Sequence, residues 1–216
     1  GDPADTSRYR LAVRLEAQSR GGSASMHADL REGDRLQVGP PRNQFPLARA
    51  ASRAVLIAGG IGITPLMAMV HALNRAGVPF YLHYCVRSRT GAAFLDELAA
   101  AQFAGHVSLH ADDDAVSHFD ASVLPPAQAG THLYLCGPGP FMDARIAEAK
   151  AAGWADDHLH LERFSNEVDR TGDVFTVTAV RSGVTVTVAA QESIAEALIR
   201  EGVDVALSCE QGVCGT

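Results

Sequence analysis

The stretch Ala54-Val55-Leu56-Ile57-Ala58-Gly59-Gly60-Ile61-Gly62-Ile63-Thr64-Pro65 decides the fold. Its first five residues form an unbroken apolar run, as a strand buried on both faces requires. Thr64 is placed to cap a helix, with Pro65 at its first position. Leu66, Met69, Val70 and Leu73 then recur at i, i+3, i+4 and i+7, and Gly77 fits the stop. Glycines between a strand and a helix let the backbone approach a diphosphate, and the free N–H groups of the first helical turn point at the anion. The plainer reading is a tight turn with no ligand; three glycines together with Thr-Pro weigh against it. The stretch is not a G-x-G-x-x-G fingerprint, and no acid stands about 20 residues on to hold a ribose hydroxyl.

Outward from this point the same texture continues. Phe80 to Val86, His106 to His110, Leu133 to Cys136 and His158 to Phe164 read as strands. Ala92 to Ala101 and Phe141 to Ala152 read as helices, the second ended by Gly153. Strand and helix alternate, so a doubly wound α/β parallel sheet is predicted over residues 51–164. Ser165 to Gly172 reads as a linker. Beyond it, Val174 to Val180 and Val184 to Val188 are β-branched strands around a Ser182-Gly183 turn. Ser193 to Arg200 is helical and Gly202 ends it. Before the sheet, residues 1–50 carry two alternating runs, Tyr9 to Leu15 and Arg35 to Val38, predicted as strands, with a short helix from Met26 to Leu30. Those pieces are too few for an independent core.

Composition bounds the function. The 216 residues are 47% hydrophobic and 20% charged, which is globular. No run of about 18 apolar residues exists to span a bilayer. A net charge of −7 argues against a nucleic-acid partner. Four cysteines are too sparse for a disulfide scaffold and suit a cytoplasmic, reducing setting. Residues 1–50 carry net +2, residues 51–165 net −4 and residues 166–216 net −5, so the segments differ in character. A monomer without membrane attachment is expected.

Several short motifs carry candidate chemistry. Cys136-Gly137-Pro138 follows a strand at the sheet's carboxyl end, where ligands of open parallel sheets sit; a thiol there can contact a cofactor ring, or simply fill a sharp turn. Arg87-Ser88-Arg89 stands at another strand end and could serve a ribose, or be surface charge. Two arginines leave the choice between NADH and NADPH open. Arg20-Gly21-Gly22-Ser23-Ala24-Ser25 offers hydroxyls and backbone N–H groups to a second phosphate, or is only a loop. Cys209 and Cys214 stand five apart, as in the C-x4-C start of a plant-type [2Fe–2S] site; zinc is the competing ligand. The nine histidines show no ligand spacing with acids or thiols.

Taken in order, these stretches resemble the phthalate dioxygenase reductase family, including the vanillate demethylase reductases. The resemblance implies a flavin-binding β-barrel, an NAD domain and a C-terminal β-grasp ferredoxin domain. The loop from Arg20 to His27 resembles the family's flavin-phosphate loop, with Gly22, Ser23 and Ser25 toward FMN. Pro41 to Leu47 resembles its barrel-to-NAD segment. Gly59, Gly60, Gly62, Thr64, Arg87, Ser88, Arg89, Cys136, Gly137 and Pro138 fall at its pyridine-nucleotide motifs, and Phe164 at an aromatic that lies near the flavin. Ser208 to Thr216 matches its cluster loop, with Cys209 and Cys214 as iron ligands. The resemblance places part of the barrel in residues 1–50, the NAD(P) domain in 51–164 and part of the ferredoxin domain in 173–216. An R-x-Y-S flavin motif and two further cluster cysteines are not in this sequence. The expectation is a portion of a reductase of roughly 310–320 residues in three domains, holding neither FMN nor the cluster well by itself.

The activity so implied is electron transfer from NAD(P)H through FMN and a [2Fe–2S] cluster to a terminal Rieske non-haem iron oxygenase acting on an aromatic acid. Cys136 and Thr64 would stand beside the nicotinamide. Competing readings are a flavin or haem-protein reductase, a non-catalytic subunit that senses nucleotide redox state, and a β-grasp module holding zinc.

Overall fold

A computed structural model describes residues 1–19, 21–114, 117–164 and 171–207. It divides into two compact units, Gly1–Arg163 and Phe164–Thr216. The first 50 residues thus fall in one unit with the predicted nucleotide domain.

The first unit is built on five parallel strands: β1 (Arg53–Gly59), β2 (Phe80–Val86), β3 (Val107–Ala111), β4 (Thr131–Cys136) and β5 (Leu159–Glu162). Their order is β3-β2-β1-β4-β5. Every residue of β1 after Arg53 is buried, which explains its unbroken apolar run, and so is every residue of β4, including the polar Thr131 and His132 ahead of its apolar stretch. Leu56 and Ala58 face a core shared with Leu66, Met69 and Val70 of α2 (Ile63–Ala76). Val55 and Ile57 face a second core on the other side, with Met142 and Ala149 of α4 (Gly139–Ala151). The alternation of Cβ direction along β1 therefore feeds two cores from one strand.

Helix α2 begins earlier than predicted. A 3-10 turn at Gly60–Gly62 leads into Ile63, and Gly62 is the N-cap. Thr64 is not the cap: it lies inside the first turn, and its hydroxyl donates back to the Ile61 carbonyl at 3.0 Å. Gly77 closes the helix in the left-handed region at φ 66°, as its place in the sequence suggested. The helix predicted over 92–101 shrinks to α3 (Leu95–Ala100), because Phe94 adopts a left-handed φ of 64° that a helix cannot contain.

Residues 1–52 depart most from expectation. Among the described residues there, no strand forms, and the single helix is α1 (Gly22–Ala28) rather than Met26 to Leu30. Neither alternating run finds a backbone partner, and a strand without a ladder leaves its N–H and C=O groups to water. The segment instead holds to the rest of the unit by a few contacts. Phe45 meets Tyr134 edge-on at 6.0 Å, and the Ala48 N–H donates to the Tyr134 hydroxyl at 2.9 Å. Arg10 donates to Glu97 at 2.5 Å, and Asp2 pairs with Arg75.

The second unit contains an antiparallel hairpin, β6 (Phe175–Ala179) and β7 (Val184–Val188), and helix α5 (Ile194–Arg200). Gly183 at φ 68° makes the turn. Ser193 caps α5 in a reciprocal capping box with Glu196. Val186, Val188 and Ala197 form its small core. No described helix is long and apolar enough to cross a membrane.

Candidate functional site

The strand order reverses between β1 and β4, which makes the crevice beyond their carboxyl ends the switch point where such sheets bind ligands. β1 delivers Gly59 to Gly62 there, and β4 delivers Cys136 to Pro138. The glycines have different duties. A Cβ on Gly62 would lie 2.2 Å from the Cys136 carbonyl oxygen, so this glycine lets the two loops touch. Gly59 and Gly137 do the same against the Phe141 ring, at 2.7 and 2.8 Å. Gly60 alone of the four combines a positive φ, 53°, with open space where a side chain would stand. It is the position at which a ligand can come against the backbone.

Both helices that start at this crevice lack a side-chain cap: α2 begins after Gly62 and α4 after Pro138. The Ile63 N–H donates to the Gly60 carbonyl, and Pro65 and Pro140 have no N–H, so the first-turn donors that can face a diphosphate are those of Thr64, Gly139 and Phe141. The residues present therefore fit a dinucleotide.

Cys136 is fully buried, in the α2-side core with Ile63 and Leu66. Burial, with Glu162 as a lesser cause, pushes its thiol up to about 12. It is a neutral packing group at neutral pH, not a nucleophile. Glu162 pairs in register with Cys136, and burial raises its carboxyl. It also lines a cleft of about 1120 Å³ together with Pro65, Met69, Phe45 and Asn43. Neither composition nor spacing singles it out; its place one strand over from Cys136 does. Arg163 beside it donates to Asp143 at 2.6 Å, tying the end of β5 to α4.

Beyond β2, Arg87 is exposed, Arg89 stands 3.7 Å from Asp114, and Ser88 caps a 3-10 turn by accepting from the Thr90 N–H. These three share the carboxyl edge with the glycine loop, because Gly59 and Cys85 are register partners. The segment Gly22 to Ser25 lies on exposed α1. Ser25 donates to Asp29 at 2.6 Å, and Ser23 exchanges its hydroxyl with Ser19 and the Glu16 N–H. Both hydroxyls make their hydrogen bonds within the segment. Phe164 belongs to the second unit and is exposed. Cys209, Cys214 and Arg20 lie outside the described residues.

Away from the crevice are two histidine pairs that sequence reading missed. His83 and His110 meet at 3.0 Å, and His132 and His160 at 2.8 Å. Burial and the neighbouring imidazole depress His83 to about 4. Among the described residues, no group of three or more His, Cys, Asp or Glu is arranged to hold a metal.

A dinucleotide crevice followed in one chain by a hairpin-and-helix module defines a class: pyridine-nucleotide oxidoreductases with an attached ferredoxin domain. The comparisons agree. Residues 35–159 match the N-terminal domain of dimethylamine monooxygenase subunit DmmA-like proteins, and residues 177–216 match the 2Fe-2S iron-sulfur cluster binding domain. The chain is 44% identical to vanillate O-demethylase oxidoreductase of Pseudomonas putida, over 99% of this chain and 69% of that protein. Phthalate dioxygenase reductase, a modular structure for electron transfer from pyridine nucleotides to [2Fe-2S], superposes with a TM-score of 0.72 at 38% identity, over 94% of this chain and 64% of that one. An intact type IV self-sufficient cytochrome P450 monooxygenase superposes with a TM-score of 0.84 at 40% identity, over the whole of this chain and 28% of that one. The chain belongs to the family of vanillate demethylase and phthalate dioxygenase reductases, NAD(P)H-dependent flavin and iron–sulfur oxidoreductases whose members serve oxygenase systems.

Proposed function

We propose that the protein of which this sequence is part passes electrons from NAD(P)H, with FMN and a [2Fe–2S] cluster as carriers, to a terminal oxygenase of the Rieske non-haem iron type that acts on an aromatic acid. The observation that carries this reading is the pair of uncapped helix starts at the β1/β4 switch point, followed in the same chain by the 2Fe-2S domain match. Bound nicotinamide and flavin supply two-electron chemistry, and the cluster carries electrons singly.

The chain's own part is binding and orientation. The first turns of α2 and α4 hold the diphosphate, Gly60 admits it, and Arg87, Ser88 and Arg89 receive the adenosine ribose. The family resemblance puts Cys136 and Thr64 beside the nicotinamide; with Cys136 wholly buried and the Thr64 hydroxyl turned to the Ile61 carbonyl, their part is to pack and shape the backbone there. Cys209 and Cys214 are iron ligands. The domains run 1–50, 51–164 and 173–216, joined by a linker over 165–172. No acid–base side chain is required. The net charge of −5 over residues 166–216 suits steering onto a basic docking patch, a rate effect that salt weakens.

The superposition on the self-sufficient cytochrome P450 favours a second reading, with a haem monooxygenase as electron acceptor. Presenting the full-length reductase with NADH or NADPH to a purified Rieske oxygenase and to a haem monooxygenase separates the two. Turnover of the Rieske partner driven by NADH is expected; turnover of the haem partner alone overturns the first reading.

A further inference from the structure

The switch-point crevice has a support outside the residues that form it. Phe141, in the first turn of α4, is wedged against both loops: the Cβ that Gly59 or Gly137 lacks would fall within 2.8 Å of its ring. Arg145, one turn along α4, lies over the Phe141 ring at 5.5 Å and over the Phe119 ring at 4.5 Å. Its guanidinium donates to Glu148 at 2.5 Å. The Arg145 side chain is 16% exposed, yet its Nε and the Glu148 Oε2 are buried without a partner. A half-satisfied buried ion pair is a poor device for stability, since apolar side chains of similar volume would serve as well. A cation stacked on two rings does, however, fix ring orientation.

We propose that Arg145 is a positioning residue for the nucleotide crevice. It holds the Phe141 ring at the angle that sets the separation of the Gly59 and Gly137 loops. The chain of contact runs Glu148, Arg145, Phe141, then both glycines. None of the first three needs to touch the ligand. The role rests on the reading of this crevice as the nucleotide site.

The test uses the full-length protein, isothermal titration with NAD+, and steady-state dye reduction with NADH. Arg145→Met is expected to weaken NAD+ binding about tenfold and raise the KM for NADH similarly, with kcat within about twofold. Arg145→Lys keeps a cation over the rings and is expected to recover most of the affinity. Phe141→Leu is expected to match Arg145→Met, and the double variant to add nothing, because both act through one ring. Leu124→Ala, in the same apolar core, supplies a destabilised control with native affinity. Affinity unchanged in Arg145→Met, equal loss in Leu124→Ala, or additive losses in the double variant would each overturn the role while the native protein still binds NAD+. Failure of the native protein to bind NAD+ would overturn the site as well.

Discussion

In β1, six of seven residues are buried, whereas Tyr9, Leu11, Val13 and Leu15 all stay exposed, although both stretches read as strands and lie in one compact unit. The difference is partnership. β1 is flanked by β2 and β4, whose ladders pair its backbone on both edges, and by helices on both faces. The Tyr9 to Leu15 run has no ladder among the described residues. An alternating pattern specifies which face a strand would bury, but supplies no neighbour to bury it against.

Leu56→Ala, at a fully buried site, is expected to lower the stability of the first unit by about 2–5 kcal/mol in urea unfolding, whereas Leu11→Ala should stay within about 0.5 kcal/mol. Equal costs would show that the N-terminal run is packed in solution. Gly62→Ala is expected to cost about 3 kcal/mol by the same measurement, because the new methyl meets backbone rather than a side chain that can turn aside. A near-native midpoint would mean that the two crevice loops separate easily.

His83 gives the sheet a pH signature. Its native pKa of about 4 lies below the ordinary 6.5, so folding favours the neutral ring. The stabilisation is complete above pH 6.5 and is lost progressively as pH falls from there toward 4, where the native protein also takes the proton. His110, His132 and His160 are depressed in the same direction. A loss on the order of 2–3 kcal/mol from His83 is expected between pH 7 and pH 4, flattened in His83→Gln. An unchanged pH slope in that variant would remove His83 from the account. The smallest effect is local. Ser193→Ala, which removes one arm of the capping box, should cost about 1 kcal/mol, read as faster amide exchange in α5.

What the sequence could say follows from where each signal resides. The buried runs, Gly77, Gly153 and Gly183 act within a few residues, and the elements they mark are present. The starts of α2 and α3 depend on Gly62 packing on Cys136 and on the left-handed Phe94, neither of which a local pattern contains. The histidine pairs join residues 27 and 28 positions apart, and only strand register brings them together. The glycine loop is legible in the sequence as a candidate ligand site, but which glycine serves packing and which faces open space is not. That division depends on Phe141 and on the Cys136 backbone, both far along the chain.

Cys85 lies one residue before the end of β2 and Cys136 ends β4, both buried, both with thiols pushed up to about 12. At pH 7 the thiolate of each is on the order of one part in 10⁵. With both thiols buried and protonated, alkylation is expected to be slow while the sheet is closed. Their labelling by iodoacetamide is therefore a clock for opening of the crevice edge, and a dinucleotide that grips the two loops should slow it in proportion to its occupancy.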